Sequence, residues 1–204
     1  IPGVLDDNGK ISEFTSACAP FVSREKKYYT EDFYGNVLVC EPAGNLVKRN
    51  VVYESGIYLG AEAAYESEEF LASEDERFRP VSMTSGPDGA IYLVDMYRGI
   101  NQHGAYMTEY LRNQTIERKL ESPFHMGRIW KITPERFQSS LSTDLSKLNS
   151  QELVNNLTHP FSWYRDSSQR LLLQQKRTDA KIHLETLVEN GGSAERISAL
   201  WILE

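Results

Sequence analysis

The chain has 204 residues, 40% of them hydrophobic, with 29 acidic against 22 basic side chains and a formal net charge of -7. This composition belongs to globular proteins rather than to disordered chains, and the scattered basic residues exclude the cationic stripe of a nucleic-acid-binding face. No apolar run approaches the ~18 residues needed to cross a bilayer, and no basic start with an apolar middle marks a signal peptide, so the chain is expected to hold no membrane segment.

Up to about Thr133 the sequence reads as short antiparallel strands, with β-branched and aromatic runs bounded by Gly, Pro, Asn and Asp. The clearest runs are Asn36–Cys40, Asn45–Tyr53, Ile57–Ala61, Pro80–Thr84, Ala90–Asp95 and Arg128–Ile132. Pro87-Asp88-Gly89 joins two of them as a hairpin, since Pro presets φ early in a turn and Gly accepts positive φ later. A strand pair near Ala17–Glu41 is echoed roughly 60 residues later by Val81–Asp95, a spacing compatible with propeller blades lengthened by loop insertions. The expected insertion is Gly104–Glu121, where Tyr106, Tyr110, Leu111, Ile116 and Leu120 fit a helix better than a strand. Cys18 and Cys40 lack any CxxC or Cys/His spacing suited to zinc or haem, and a single bridge and two buried thiols both remain open. The seven carboxylates of Glu62–Glu76 lack EF-hand spacing and read as a solvated loop, and His103, His125 and His159 as loop or joint residues.

From Leu141 onward the pattern turns helical. Ser150-Gln151-Glu152-Leu153 resembles a capped start, His159-Pro160 breaks that helix, and Trp163–Gln174, Asp179–Val188 and Ala194–Leu203 follow. Tyr164–Leu172 and Glu195–Ile202 superpose at a period of about 31 residues, as in a solenoid of stacked helix pairs. Its expected core is Trp163, Leu171, Leu172, Leu173, Leu187, Leu200 and Trp201. Ile1–Gly3 include no initiator Met and Ala199–Glu204 stop inside an amphipathic helix, so the chain reads as a piece of a larger protein.

Asn36–Val47, Arg77-Phe78-Arg79-Pro80-Val81, Gly86–Asp95 and Gly127–Ile132, in that order, resemble the end of the propeller in glucose/sorbosone-dehydrogenase-like quinoproteins. The similarity is greatest to the large bacterial membrane-bound dehydrogenase type, in which HEAT repeats and often a cytochrome c domain follow the propeller. This implies a mainly β chain followed by α. Residues 1–136 would be the terminal blades of a six-bladed β-propeller with a helical insertion, 137–149 a linker, and 150–204 the start of a HEAT-like solenoid. It further implies pyrroloquinoline quinone and calcium as cofactors, a sugar or polyol substrate, and electron transfer to a cytochrome c domain or other acceptor, with haem c only outside this chain. The implied location is periplasmic or otherwise extracytoplasmic. Arg77 and Arg79 match an Arg-x-Arg that touches the quinone in such enzymes, and a guanidinium fork suits the carboxylates of that cofactor.

Asp95, at a strand end, and Glu41, standing where those enzymes supply a Lys, are the candidate metal ligands; no catalytic base is assigned. Isolated, the chain is expected to be inactive. The alternative function is a non-catalytic propeller and HEAT scaffold that binds a glycan or a partner protein.

Overall fold

The structure, a computed structural model, describes residues 13–27, 29, 31–138 and 143–204. Ile1–Gly3 and Leu141, where the helical pattern starts in the sequence, lie outside the described residues. Two compact units divide the chain. The first comprises the residues up to Ser23, Asp32–Thr84 and Ile91–Ile132; the second comprises Arg24–Glu31, Ser85–Ala90 and Thr133–Glu204.

The first unit carries two antiparallel sheets. In one, β1 (Cys18–Val22), β2 (Val37–Glu41), β3 (Leu46–Ser55) and β4 (Tyr58–Ala63) follow each other in sequence order, and the two-residue β5 (Leu71–Ala72) pairs with the start of β3. Cys18 opposes Cys40 and Phe21 opposes Leu38, so β1 accommodates one extra residue between these pairs, with Ala19 at φ 46°. Ser55 opposes Tyr58 across a two-residue loop whose first position, Gly56, has φ 65°, a conformation that glycine adopts without strain. The second sheet runs β6 (Pro80–Ser85), β7 (Ile91–Asp95), β8 (Arg128–Ile132), with Asp95 opposite Arg128. Leu38, Cys40, Val47, Phe78, Met83, Ile91 and Leu93 are buried in this unit. All six expected strand runs coincide with strands to within two residues.

The insertion is shorter than its periodicity predicts. A single 3-10 turn (Gly104–Tyr106) precedes α1 (Glu109–Glu117), and Tyr106 and Tyr110 are exposed rather than packed. α1 starts on the Thr108 side chain and ends with Lys119 at φ 54°, where Leu120 N–H returns to Thr115 O and Lys119 N–H to Ile116 O.

The second unit holds α2 (Ser150–Asn155), α3 (Ser162–Gln174), α4 (Lys181–Asn190) and α5 (Ser193–Leu203). Asn149, not Ser150, caps α2: its side chain accepts from Glu152 N–H and the Glu152 side chain accepts from Asn149 N–H. Leu153, Val154, Leu157, Phe161, Tyr164, Leu172, Leu184 and Ala199 form the core. Leu173, Leu200 and Trp201, expected in that core, are exposed, because Leu172 and Ala199 occupy the inward positions of their helices.

Phe161, the residue before α3, offers no side chain to the helix start, and Glu25 supplies what is missing. Its carboxylate, 2% exposed, accepts from Ser162 N–H at 3.0 Å and from the Ser162 hydroxyl. The same segment is held by Lys26 N–H to Pro160 O at 2.9 Å, by Arg24 to Asp166, and by Lys26 Nζ to Glu195 at 2.7 Å. In the turn Gly86–Ala90, Gly89 has φ 81° and a side chain there would meet the Phe161 ring at 2.5 Å, so neither backbone nor packing admits another residue.

Glu25→Ala should therefore lower the stability of the helical unit by about 2 kcal/mol, through the lost cap and a buried, unpaired Ser162 donor. Urea unfolding followed by far-UV circular dichroism measures this; an unchanged midpoint would show that water replaces the carboxylate at no cost.

Candidate functional site

Arg79 and Asp95 meet where β6 begins and β7 ends. Asp95 is fully buried, and each of its oxygens takes two donors. Oδ1 accepts from Arg79 N–H and Tyr97 N–H, both at 2.8 Å, while Oδ2 accepts from Arg128 Nε at 3.0 Å and Trp130 Nε1 at 3.1 Å. Burial alone would push this carboxyl up; the donors from Arg79, Trp130, Tyr97 and Arg128 outweigh it and hold Asp95 below its usual range. Arg128 lies over the Tyr97 ring at 3.8 Å and the Trp130 ring at 4.8 Å. Tyr97 sits at φ 47°, a costly conformation for an aromatic residue, stabilised by the Asp95 bond to its N–H and by the stacked guanidinium.

Every nitrogen of the Arg79 guanidinium donates to a backbone carbonyl. Nε reaches Arg98 O at 2.9 Å, Nη2 reaches Gly99 O at 2.8 Å, and Nη1 reaches Pro42 O at 2.6 Å and Ala43 O at 3.4 Å. Two loops, 42–43 and 98–99, are thus clamped by one side chain. Glu41 completes the first loop: buried, it accepts from Ser16 N–H at 3.1 Å and Ala43 N–H at 3.2 Å. Gly99 packs so closely against Leu120 that a Cβ would stand 2.4 Å from the Leu120 carbonyl oxygen. Arg77 lies apart from Arg79, at the end of α1, donating to Lys119 O at 2.8 Å and Ser122 O at 3.1 Å.

The four expected site residues therefore secure backbone. Arg77 and Arg79 direct their forks at carbonyls rather than at a carboxylate or quinone oxygen, and the oxygens of Glu41 and Asp95 already face N–H donors that a calcium ion would have to displace. Among the described residues, no group of three or more His, Cys, Asp and Glu side chains could hold a metal ion. In this arrangement the residues do not fit the quinone and calcium that the sequence resemblance implies.

What the clamped loops do form is the wall of a cavity of about 480 Å³. Ser16, Ala43, Arg79 and Gly99 line one part of it, and Asn101, Gln102, Tyr106, Tyr110, Gln114 and Arg118 another. Glu76 also lines it and is ion-paired with Arg118. Tyr106 and Tyr110 are 73% and 72% exposed, so their rings are open to a ligand. These two tyrosines are concealed in the sequence because, four residues apart, they match the spacing of a buried helix face. The signal against burial was the polarity of their surroundings, Asn101, Gln102, Thr108 and Gln114.

Cys18 and Cys40 face each other across β1 and β2 as free thiols, with Cys18 partly exposed and Cys40 buried. His103 accepts from Ala105 N–H to start its 3-10 turn, and His159 accepts from Phe161 N–H at the joint before α3.

Compared with protein families, residues 3–136 match a domain of unknown function, DUF7133. The chain belongs to the DUF7133 family. No curated protein and no solved structure matches it. In this DUF7133 chain the matched stretch contains both sheets, the Asp95 cluster and the whole lining of the cavity.

Replacing Asp95 tests the cluster. Asp95→Asn should destabilise the chain by about 3 kcal/mol at neutral pH, since an amide NH2 in place of one carboxylate oxygen would face two N–H donors and leave them unpaired in a buried site. A carboxyl whose folded pKa is depressed contributes its stability above ~pH 4 and loses it as pH falls through the folded value, so the gap between wild type and variant should narrow from about pH 5 towards pH 2. Urea midpoints measured across that range decide it; a gap that does not change with pH would contradict the assignment.

Proposed function

We propose that this DUF7133 chain binds a neutral carbohydrate or polyol in the cavity beside α1, as part of a propeller-type scaffold. The observation that carries the reading is the composition of that cavity. Two exposed phenol rings stand beside the side-chain amides of Asn101, Gln102 and Gln114, and the charged pair Glu76–Arg118 is already mutually neutralised. A sugar presents C–H faces that pack on aromatic rings and hydroxyls that both donate and accept, which is what amides and phenols match. A volume near 480 Å³ also falls within the ~300–1,000 Å³ of small-molecule sites.

The up-and-down order of β1 to β4 supports the blade reading of the first unit, because propeller blades are four-stranded antiparallel meanders. On this view the functional part of Arg79, Asp95 and Glu41 is indirect. They hold the loops at residues 41–43 and 96–99 in register, so that the cavity exists before any ligand arrives, and preorganisation lowers the entropy cost of binding.

A second reading, part of a quinone-dependent sugar dehydrogenase that passes electrons to a cytochrome c, is favoured by Arg79 on the cavity wall within its Arg-x-Arg sequence. It would require Arg79 to exchange at least one carbonyl for an anionic ligand. Calorimetric titration of pyrroloquinoline quinone with calcium into the chain separates the two: binding would favour the dehydrogenase, and none would favour the carbohydrate site.

For the carbohydrate reading, a panel of neutral mono- and oligosaccharides titrated into the chain should yield at least one ligand in the micromolar to millimolar range. Tyr106→Ala and Tyr110→Ala should each weaken it about tenfold, ~1.4 kcal/mol, with no change in the thermal unfolding of the free protein. If no saccharide binds, or if both tyrosine variants bind as tightly as wild type, the cavity is not a sugar site.

A further inference from the structure

Cys18 opens β1, Cys40 lies near the end of β2, and the register sets them directly opposite one another. Opposed residues of an antiparallel pair stand about 4.5 or 5.5 Å apart at Cα and point to the same face of the sheet. Both separations fall inside the roughly 4.4–6.8 Å that a disulfide bridges, so ring closure needs rotation about side-chain bonds and no movement of the backbone. The two thiols differ in access. Cys18 is partly exposed, beside the irregular Ala19, and its Sγ donates to Val81 O at 3.8 Å; Cys40 has no exposed surface.

We propose that Cys18 and Cys40 are an oxidisable pair, in which Cys18 first forms a mixed disulfide with an external disulfide oxidant and Cys40 then displaces the oxidant to leave one intramolecular bridge. In the first step the Cys18 thiolate attacks a sulfur of the oxidant, which leaves as a thiol. In the second, Cys40 sulfur attacks Cys18 Sγ, the mixed disulfide breaks and the second thiol departs. The two cysteines lose two protons and two electrons, and the oxidant disulfide is reduced to two thiols.

The position of the bridge gives it a consequence for the cavity. Glu41, next to Cys40, accepts from Ser16 N–H, two residues before Cys18, and from Ala43 N–H. Ser16 and Ala43 both line the cavity. The crosslink would therefore tie together the two strands from which those wall segments extend, whatever ligand the cavity takes.

Burial pushes the Cys40 thiol up to about 12, with Cys18 adding to the shift. Burial, with Glu41 adding to it, also raises the Cys18 thiol, so both steps should quicken as pH rises and the thiolate fractions grow.

The test uses the chain with oxidised glutathione, followed by acid quench, unfolding, alkylation and intact-mass analysis. The expected end product is a monomer lighter by two hydrogen atoms, with no alkylatable thiol, formed through a transient glutathione adduct on Cys18. In Cys40→Ser that adduct should accumulate and persist. In the oxidised wild type, amide exchange at Ser16 and Ala43 should slow and the thermal midpoint should rise. Two retained thiols after prolonged oxidation, a glutathione adduct that never resolves in wild type, or bridging between chains would each overturn the proposal.

Discussion

A buried carboxylate with four donors organises the first unit. Asp95 joins the start of β6 through Arg79 N–H, the loop after β7 through Tyr97 N–H, and β8 through Arg128 and Trp130. An ionised group without solvent is stable only when each lone pair has a partner, so the three strand ends are constrained to one arrangement in which all four donors converge. The strained Tyr97 backbone is part of that arrangement, since straightening it would withdraw a donor and remove one face of the stack around Arg128.

Arg79 extends the constraint from the strands to the loops. Its planar fork suits carboxylates, yet here it meets carbonyls from two separate turns, and a single rigid group fixes both at once. Glu41 does the reverse, an anion gathering backbone N–H groups on the other side of the same turn. A guanidinium bonded to carbonyl oxygens and a carboxylate bonded to amides carry out the same task with opposite polarity. Their joint product is a cavity whose polar wall is set by backbone geometry, leaving its open aromatic side to α1 and the turn before it.

Local patterns in the sequence located the strands, because β-branched runs and Pro87-Asp88-Gly89 carry their own structural instructions. They also located α3, α4 and α5. What they did not convey was direction. Leu173, Leu200 and Trp201 lie on helices as expected yet face outward, since a helix's inward face depends on which neighbours it meets, and one step along the helix rotates a side chain by about 100°. The candidate site shows the same limit. Arg79, Asp95 and Glu41 were legible as unusual, and their convergence on two loops is a tertiary fact. Tyr106 and Tyr110 were hidden by a spacing that serves a buried face and an exposed platform equally well.

The Glu25 carboxylate and the Ser162 amide it caps are 137 residues apart. During synthesis the acid emerges from the ribosome long before the helix start that needs it, so the segment around Glu25 must wait for its partner. A length of polypeptide cut at the apparent boundary near Thr133 would begin its helices without their remote cap, and would misrepresent the helical half as less cooperative than it is. The helical unit is discontinuous in sequence: Arg24–Glu31 belongs with the residues from Thr133 onward.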